Sequence, residues 1–326
     1  MKLSAQQQFH ADWGDLSDPH VRALAWLLTS PHLLHPGAPI WNGANIAPVL
    51  PDAPALRGFL RALDLDPVPL HAALMKHPTK RLGLYAETLL AFFFEQFCDL
   101  YAHGLQIHDD NARTIGEFDF LVQAGQSVSH WELATKFYLL FQDDESAVDG
   151  AHANLFDYLG PNLADTLGAK MHKIVYQQLR LSAHPQALAR LPLPVASAQA
   201  LIKGWLFYRD PMALNTSSLV EGVAEDHCRG YIWRLDDIRD MSDFSGVMLE
   251  RLMWLAPVQV AANELVGREQ LIEKTEAQFA VVNSPVMLAI TEVQHGIARE
   301  VCRGMVVPDD WWQQAVEARK RLAPLA

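Results

Sequence analysis

Two short segments carry residue types that could do chemistry: Gly116-Glu117-Phe118-Asp119-Phe120-Leu121-Val122 and Trp131-Glu132-Leu133-Ala134-Thr135-Lys136-Phe137. Both read as strands. Side chains in a strand repeat every two residues. The first segment therefore sets Glu117, Asp119 and Leu121 on one face, against Phe118, Phe120 and Val122 on the other. The second sets Glu132, Ala134 and Lys136 opposite Trp131, Leu133, Thr135 and Phe137. Carboxylates are depleted from strand interiors, so their presence asks for a reason. Two acids and a lysine facing one way on neighbouring strands can hold a divalent cation and a phosphate together. That is the chemistry of a metal-dependent nuclease.

The elements that must position these residues follow from periodicity and turn signals. Apolar residues Leu89, Phe92, Phe93, Phe97 and Leu100 recur at spacings of three and four, which predicts a long helix over 79–103. Strands are predicted at 105–108, 116–123 and 128–141, with Ala124-Gly125-Gln126-Ser127 as the turn between the last two. A second helix is expected over about 163–181, then a proline-broken linker and a strand at 201–208. The order is helix, three strands, helix, strand. Residues 1–78 read as a mostly helical addition, with Asp18-Pro19 opening one helix. Residues 211–326 read as a mixed α+β extension. It has a strand near 230–235, a helix or charged strand over 268–279, paired strands near 286–293 and 297–307, and a terminal helix. The fold class expected is α/β, a mixed sheet flanked by helices, with the core at 79–210.

That element order and the motif residues resemble the core of the PD-(D/E)XK nuclease superfamily, from about Arg81 to Tyr208. Within it the chain looks like an uncharacterised bacterial family. Gly116-Glu117-Phe118-Asp119 is similar to the Gly-Glu-hydrophobic-Asp strand of that superfamily, and Glu132 follows Asp119 at a hairpin's distance. The resemblance implies that Asp119 and Glu132 bind the metal, that a first-helix glutamate, here Glu87, completes the site, and that a lysine lies two positions after the glutamate. Here position 134 is alanine and the lysine is Lys136. The shift keeps the face and moves the amine about 7 Å along the strand, a distance its side chain spans.

The oxygen ligands suit Mg²⁺, with Mn²⁺ as a substitute. Lys136 would orient the attacking water or stabilise the charged phosphorus centre. Glu117 shares the face of Asp119 and ranks below it as a ligand. On the second helix Lys170, Lys173, Gln177 and Arg180 form one polar, mainly basic stripe. The three cations are candidate phosphate contacts, and Gln177 is the candidate to approach the site. The substrate expected is DNA ahead of RNA.

Composition sets the limits. A hydrophobic content of 50% and a charged content of 20% describe a folded globular chain. A net charge of −12 argues against tight, nonspecific binding along DNA, because such proteins gather positive charge. It motivates the alternative, a nuclease-fold binding or assembly module without turnover and with a protein partner. Cys98, Cys228 and Cys302 form no paired motif, and the first residues hold no apolar run. A cytoplasmic protein without a membrane anchor is the expectation. Fourteen histidines include no HExxH pattern, and no GxxxxGK[ST] or GxGxxG loop occurs, so zinc hydrolase and nucleotide-cradle readings are not indicated.

Overall fold

The computed structural model describes residues 3–48, 50, 53–142, 153–212 and 219–322. Four helices come first: α1 (Ala5–Trp13), α2 (Pro19–Thr29), α3 (Ala53–Leu65) and α4 (Val68–Lys76). Asp18 caps α2 by accepting from the His20 and Val21 backbone N–H groups, with Pro19 at the first helical position. Next come α5 (Leu82–Phe97), β1 (Leu100–His108), β2 (Thr114–Ala124), β3 (Ser127–Leu140) and the short β4 (Tyr158–Leu159). The predicted first helix stops at Phe97, and Leu100 opens β1 instead of closing the helix. Leu100 pairs with Val122, so the ladder claims it.

The second helix is shorter than expected. Leu163 takes a left-handed backbone, and Thr166 caps α6 (Leu167–Lys173) through the Ala169 N–H. A π-turn, Ile174–Gln178, continues α6, with Leu179 N–H donating to Ile174 C=O across five residues. The linker folds a further helix, α7 (Pro185–Arg190), before β5 (Val195–Tyr208). The C-terminal third supplies β6 (Cys228–Trp233), α8 (Leu235–Asp240), β7 (Ser245–Leu249), β8 (Gln259–Ala261) and β9 (Val266–Gly267). It ends with α9 (Arg268–Val281), β10 (Val286–Gln294), β11 (Ile297–Val306) and α10 (Trp311–Leu322). The charged segment at 268–279 is thus helical.

The strands form one mixed sheet in the order β1-β2-β3-β5-β6-β11-β10-β7-β9. Antiparallel pairing at both ends flanks a parallel centre, β3-β5-β6-β11. The protein is therefore α/β, and the sheet runs without a break from the 79–210 segment into the C-terminal third. Alternate residues of β3 serve opposite faces. Trp131, Phe137 and Leu139 pack with α2 and α5, whereas Ala134, Tyr138 and Leu140 pack with α6 and the π-turn. Among the described residues no helix is long and apolar enough to cross a membrane.

A candidate acid–lysine site in a strand fork

The β2–β3 ladder pairs Phe120–Ala124 with Ser127–Trp131 and stops there. Further along the same edge, β4 takes up Leu139 and Leu140. Among the described residues no strand covers this edge of β3 between Glu132 and Tyr138, and the strands form a fork. Asp119 fills the start of the gap, because its Oδ2 accepts from the Leu133 N–H at 2.9 Å, where a strand partner would otherwise lie. The strict alternation expected of β2 fails here. Phe118 packs in the cluster of Leu121, away from Phe120 and Val122, so the strand turns over as it enters the fork.

Asp119 and Glu132 are close enough that each acts on the other's titration. Burial raises Asp119 to about 7, and the Glu132 charge adds to the shift. Burial raises Glu132 to about 8 against the lowering effects of Asp119 and Lys170. The two titrate as a pair. Glu87 of α5 is raised to about 7, first by burial and then by Asp119 and Glu117. Lys136 is lowered to about 8 by burial and then by Lys170, while Asp165, Glu87 and Asp119 oppose the shift. These mutual effects place Glu87, Asp119, Glu132, Lys136 and Lys170 in one electrostatic neighbourhood. Glu117 belongs to its exposed rim, where Gln106 donates to its carboxylate at 3.0 Å.

Glu132 is 1% exposed and held at both oxygens. His130 Nε2 lies 2.9 Å from Oε1, and Gln178 Nε2 donates to Oε2 at 2.6 Å. His130 is itself fully buried, and burial drops its pKa to about 4, so the ring is neutral and donates from Nε2. Its Nδ1 and the Gln178 Oε1 are buried without a hydrogen-bond partner. The glutamine that reaches the site is Gln178, and Gln177 faces solvent. The π-turn explains the difference. One extra residue per turn rotates everything after it by about one position relative to an α-helix, and spacing counted at 3.6 residues per turn lands on the wrong neighbour. Lys173 and Arg180 also face solvent, with the Arg180 guanidinium 5.3 Å from the Tyr176 ring. Lys170 alone of the predicted basic stripe is turned toward the acids. His130 carries a signal that could have been used, since it shares strand parity with Glu132 two residues on.

β5 approaches β3 closely at the lysine. A Cβ on Gly204 would lie 1.8 Å from the Lys136 carbonyl oxygen, so only glycine fits. Beyond Lys136 the fork opens into a cleft of about 300 Å³ that includes Lys80, Arg81, Asp165, Arg251 and Trp254.

The donor set can be tested against a metal. Among the described residues no group of three or more His, Cys, Asp and Glu stands ready to enclose an ion. Mg²⁺ does not need such a cage, because it keeps several waters and binds through one or two carboxylates. A hard-oxygen pair with unbalanced buried charge, Asp119 and Glu132, fits that habit. Searches among curated proteins and among solved structures returned no match. A family model covers residues 22–307, which takes in the sheet and the fork, and the chain accordingly belongs to the family described as Domain of unknown function (DUF1853).

Proposed function

We propose that the fork is the active site of a Mg²⁺-dependent nuclease of the PD-(D/E)XK type, acting on DNA ahead of RNA. One observation carries the reading. Two carboxyls are held on adjoining strands, the half-buried Asp119 by the Leu133 N–H at 2.9 Å and the buried Glu132 by His130 and Gln178 at both oxygens, with the half-buried Lys136 on the same strand as the glutamate. Such a pair is costly in a structural role, because burying ionised carboxylates without a counter-charge is unfavourable. A bound cation would supply that counter-charge and polarise a phosphate oxygen. Asp119 and Glu132 are its ligands, and Glu87 is the third acid at hand.

The remaining residues have separate tasks. His130 and Gln178 fix both oxygens of Glu132 and so set its orientation before any ligand arrives. Leu133 N–H fixes Asp119 in the same way. Lys136, with a pKa of about 8, holds a proton at Nζ at neutral pH and can pass a hydrogen bond to charge that develops on a phosphate oxygen. Lys170 adds positive charge from the opposite element. The lysine's place two residues beyond the familiar position does not remove it from the acids, since Glu87 and Asp119 both act on its charge.

The test is cleavage of plasmid and linear DNA by purified protein in Mg²⁺ or Mn²⁺, with EDTA as the blank. Loss of cleavage in Glu132→Ala and in Lys136→Ala supports the reading. Cleavage that persists in both variants refutes it. No cleavage by the wild-type chain leaves the fold as a binding or assembly module.

A further inference from the structure

The cleft beyond Lys136 is distinct from the acid pair and differently charged. It lies between the start of α5, the open edge of β3 and the turn Arg251–Met253. Lys80, Arg81, Lys136 and Arg251 contribute four cations to its wall, in a chain whose net charge is −12. The acid in the same wall is Asp165, and its Oδ2 already accepts from the Tyr138 hydroxyl at 2.9 Å. Among the described residues none of the four cations has an ion-pair partner. The Arg251 guanidinium rests over the Trp254 ring at 5.0 Å, which holds its fork of donors in place with no carboxylate to satisfy it.

The backbone adds to this. Residues of one parity point their N–H groups to the same edge of a strand. Leu133 N–H points into the fork, so the Thr135 and Phe137 N–H groups do so as well, and both residues line the cleft. A cleft with unpaired cations and open backbone N–H groups selects a compact, multiply charged anion. Its volume, about 300 Å³, is at the small end of ligand pockets, the scale of one phosphate with its sugar. A continuous chain of phosphates would instead call for an extended basic track. A phosphomonoester carries about −1.5 to −2 charges near pH 7, which matches this wall better than a singly charged diester.

We propose that this cleft binds the phosphorylated end of a nucleic-acid strand, a phosphomonoester, and so sets where the strand lies across the fork. The proposal rests on the nuclease reading for its substrate class, but its test needs no turnover. Wild-type protein in EDTA is titrated with labelled single-stranded DNA of one sequence and about a dozen nucleotides. The strand carries a 5′-phosphate, a 3′-phosphate or hydroxyls at both ends, and binding is followed by anisotropy. One phosphorylated form should bind at least tenfold more tightly than the hydroxyl form. Arg251→Ala and the double variant Lys80→Ala/Arg81→Ala should each remove most of that preference. All three residues are exposed, so folding is not at stake, and Arg251→Lys should keep part of the effect. Inorganic phosphate and a mononucleotide, added as competitors, separate an end-specific site from one that takes any free phosphate. Displacement of the phosphorylated strand by the mononucleotide at concentrations no higher than the unlabelled phosphorylated strand needs would overturn the strand-end assignment. Equal binding of all three strands, or a preference that survives Arg251→Ala, would overturn the proposal. Absence of metal-dependent cleavage together with a clear end preference would instead remove the nuclease reading and leave this site standing.

Discussion

If the Asp119–Glu132 pair is buried with unbalanced charge, metal-free protein must lose stability as the pair ionises. Both carboxyls are raised in the folded state, Asp119 to about 7 and Glu132 to about 8, from ordinary values of 3.8 and 4.5. The folded state therefore binds protons that the unfolded state releases, and its advantage is complete below pH 4. The advantage is lost as pH rises through 7 and 8. Other groups move the opposite way at lower pH. Burial lowers His10, His130 and His227 to about 4, so between about 4 and 6.5 the unfolded chain holds protons that the folded chain does not, and the folded state gains as pH rises through that range. Above pH 6.5 the histidines are neutral in both states, and the carboxyls dominate the slope. Linkage over pH 6.5 to 8, with the two acids titrating as a coupled pair, gives a loss of about 1–2 kcal/mol.

The comparison is wild type against Asp119→Asn/Glu132→Gln, both in EDTA, by urea unfolding at pH 6.5 and 8. Wild type should lose about 1–2 kcal/mol more than the double variant over that interval. Glu87, raised to about 7 first by burial, keeps that part of its shift in both proteins, and only the smaller contribution of the Asp119 charge differs between them. At pH 8, Mg²⁺ at a hundredfold excess over its dissociation constant should return about 2.7 kcal/mol to wild type and nothing to the variant. Parallel pH profiles would show that the pair carries no buried charge. Equal stabilisation of both proteins by Mg²⁺ would place any ion elsewhere.

Three further outcomes follow from named contacts. Gln178→Ala should lower metal-dependent cleavage by about 10–100-fold, as loss of a partner that orients a metal ligand does, while Gln177→Ala, on an exposed side chain, should leave it unchanged in the same assay. Gly204→Ala drives a Cβ into the Lys136 carbonyl and should destabilise the protein by about 1–3 kcal/mol in urea, whereas Gly58→Ala, with open space around the new Cβ, should be neutral or stabilising. Arg303→Met should cost about 3–5 kcal/mol by leaving Glu300 buried and unpaired, with much of the loss recovered in Arg303→Met/Glu300→Leu, and thermal melting reads both.

The parts of the site that were legible in the sequence are those set by a strand's two-residue period. Glu132 and Lys136 share a face because alternation holds along β3, whereas β2 turns over at Phe118 and the Leu133 N–H, not the two-residue period, holds Asp119. Gln178 could not be placed, because a π-turn breaks the helical count, and nothing in Ile174-Val175-Tyr176-Gln177-Gln178 announces one. His130 was within reach by parity alone. The paired strands expected near 286–293 and 297–307 are the hairpin β10–β11, whose turn places His295 and Gly296 at positive φ. The pairing of β6 between β5 and β11 is parallel and long-range, so no local pattern encodes it. That is why the C-terminal third reads as an appendage in the sequence but continues the same sheet.

The C-terminal third also reaches the site, through the segment 250–258. Arg303 and Glu300 on β11 are fully or almost fully buried, and Arg303 Nη2 donates to Glu300 Oε2 at 2.7 Å. Arg303 also donates to the Trp254 and Ala256 carbonyls, and Glu300 accepts from Val258 N–H at 2.9 Å. Trp205 Nε1, from β5, donates to the Leu255 carbonyl at 2.9 Å, and the Arg303 guanidinium stacks over the Trp205 ring at 4.1 Å. An isolated buried ion pair is weak evidence for stability. This one satisfies three backbone groups of one segment, so its effect is positional. It fixes Trp254 against the core and, through Trp254, the stacked Arg251 at the mouth of the cleft. The polar core of the extension thus bears, through Trp254, on Arg251, one of the four cations beside Lys136. A disturbance at β11 is expected to weaken phosphate-end binding before it touches the acids in the fork.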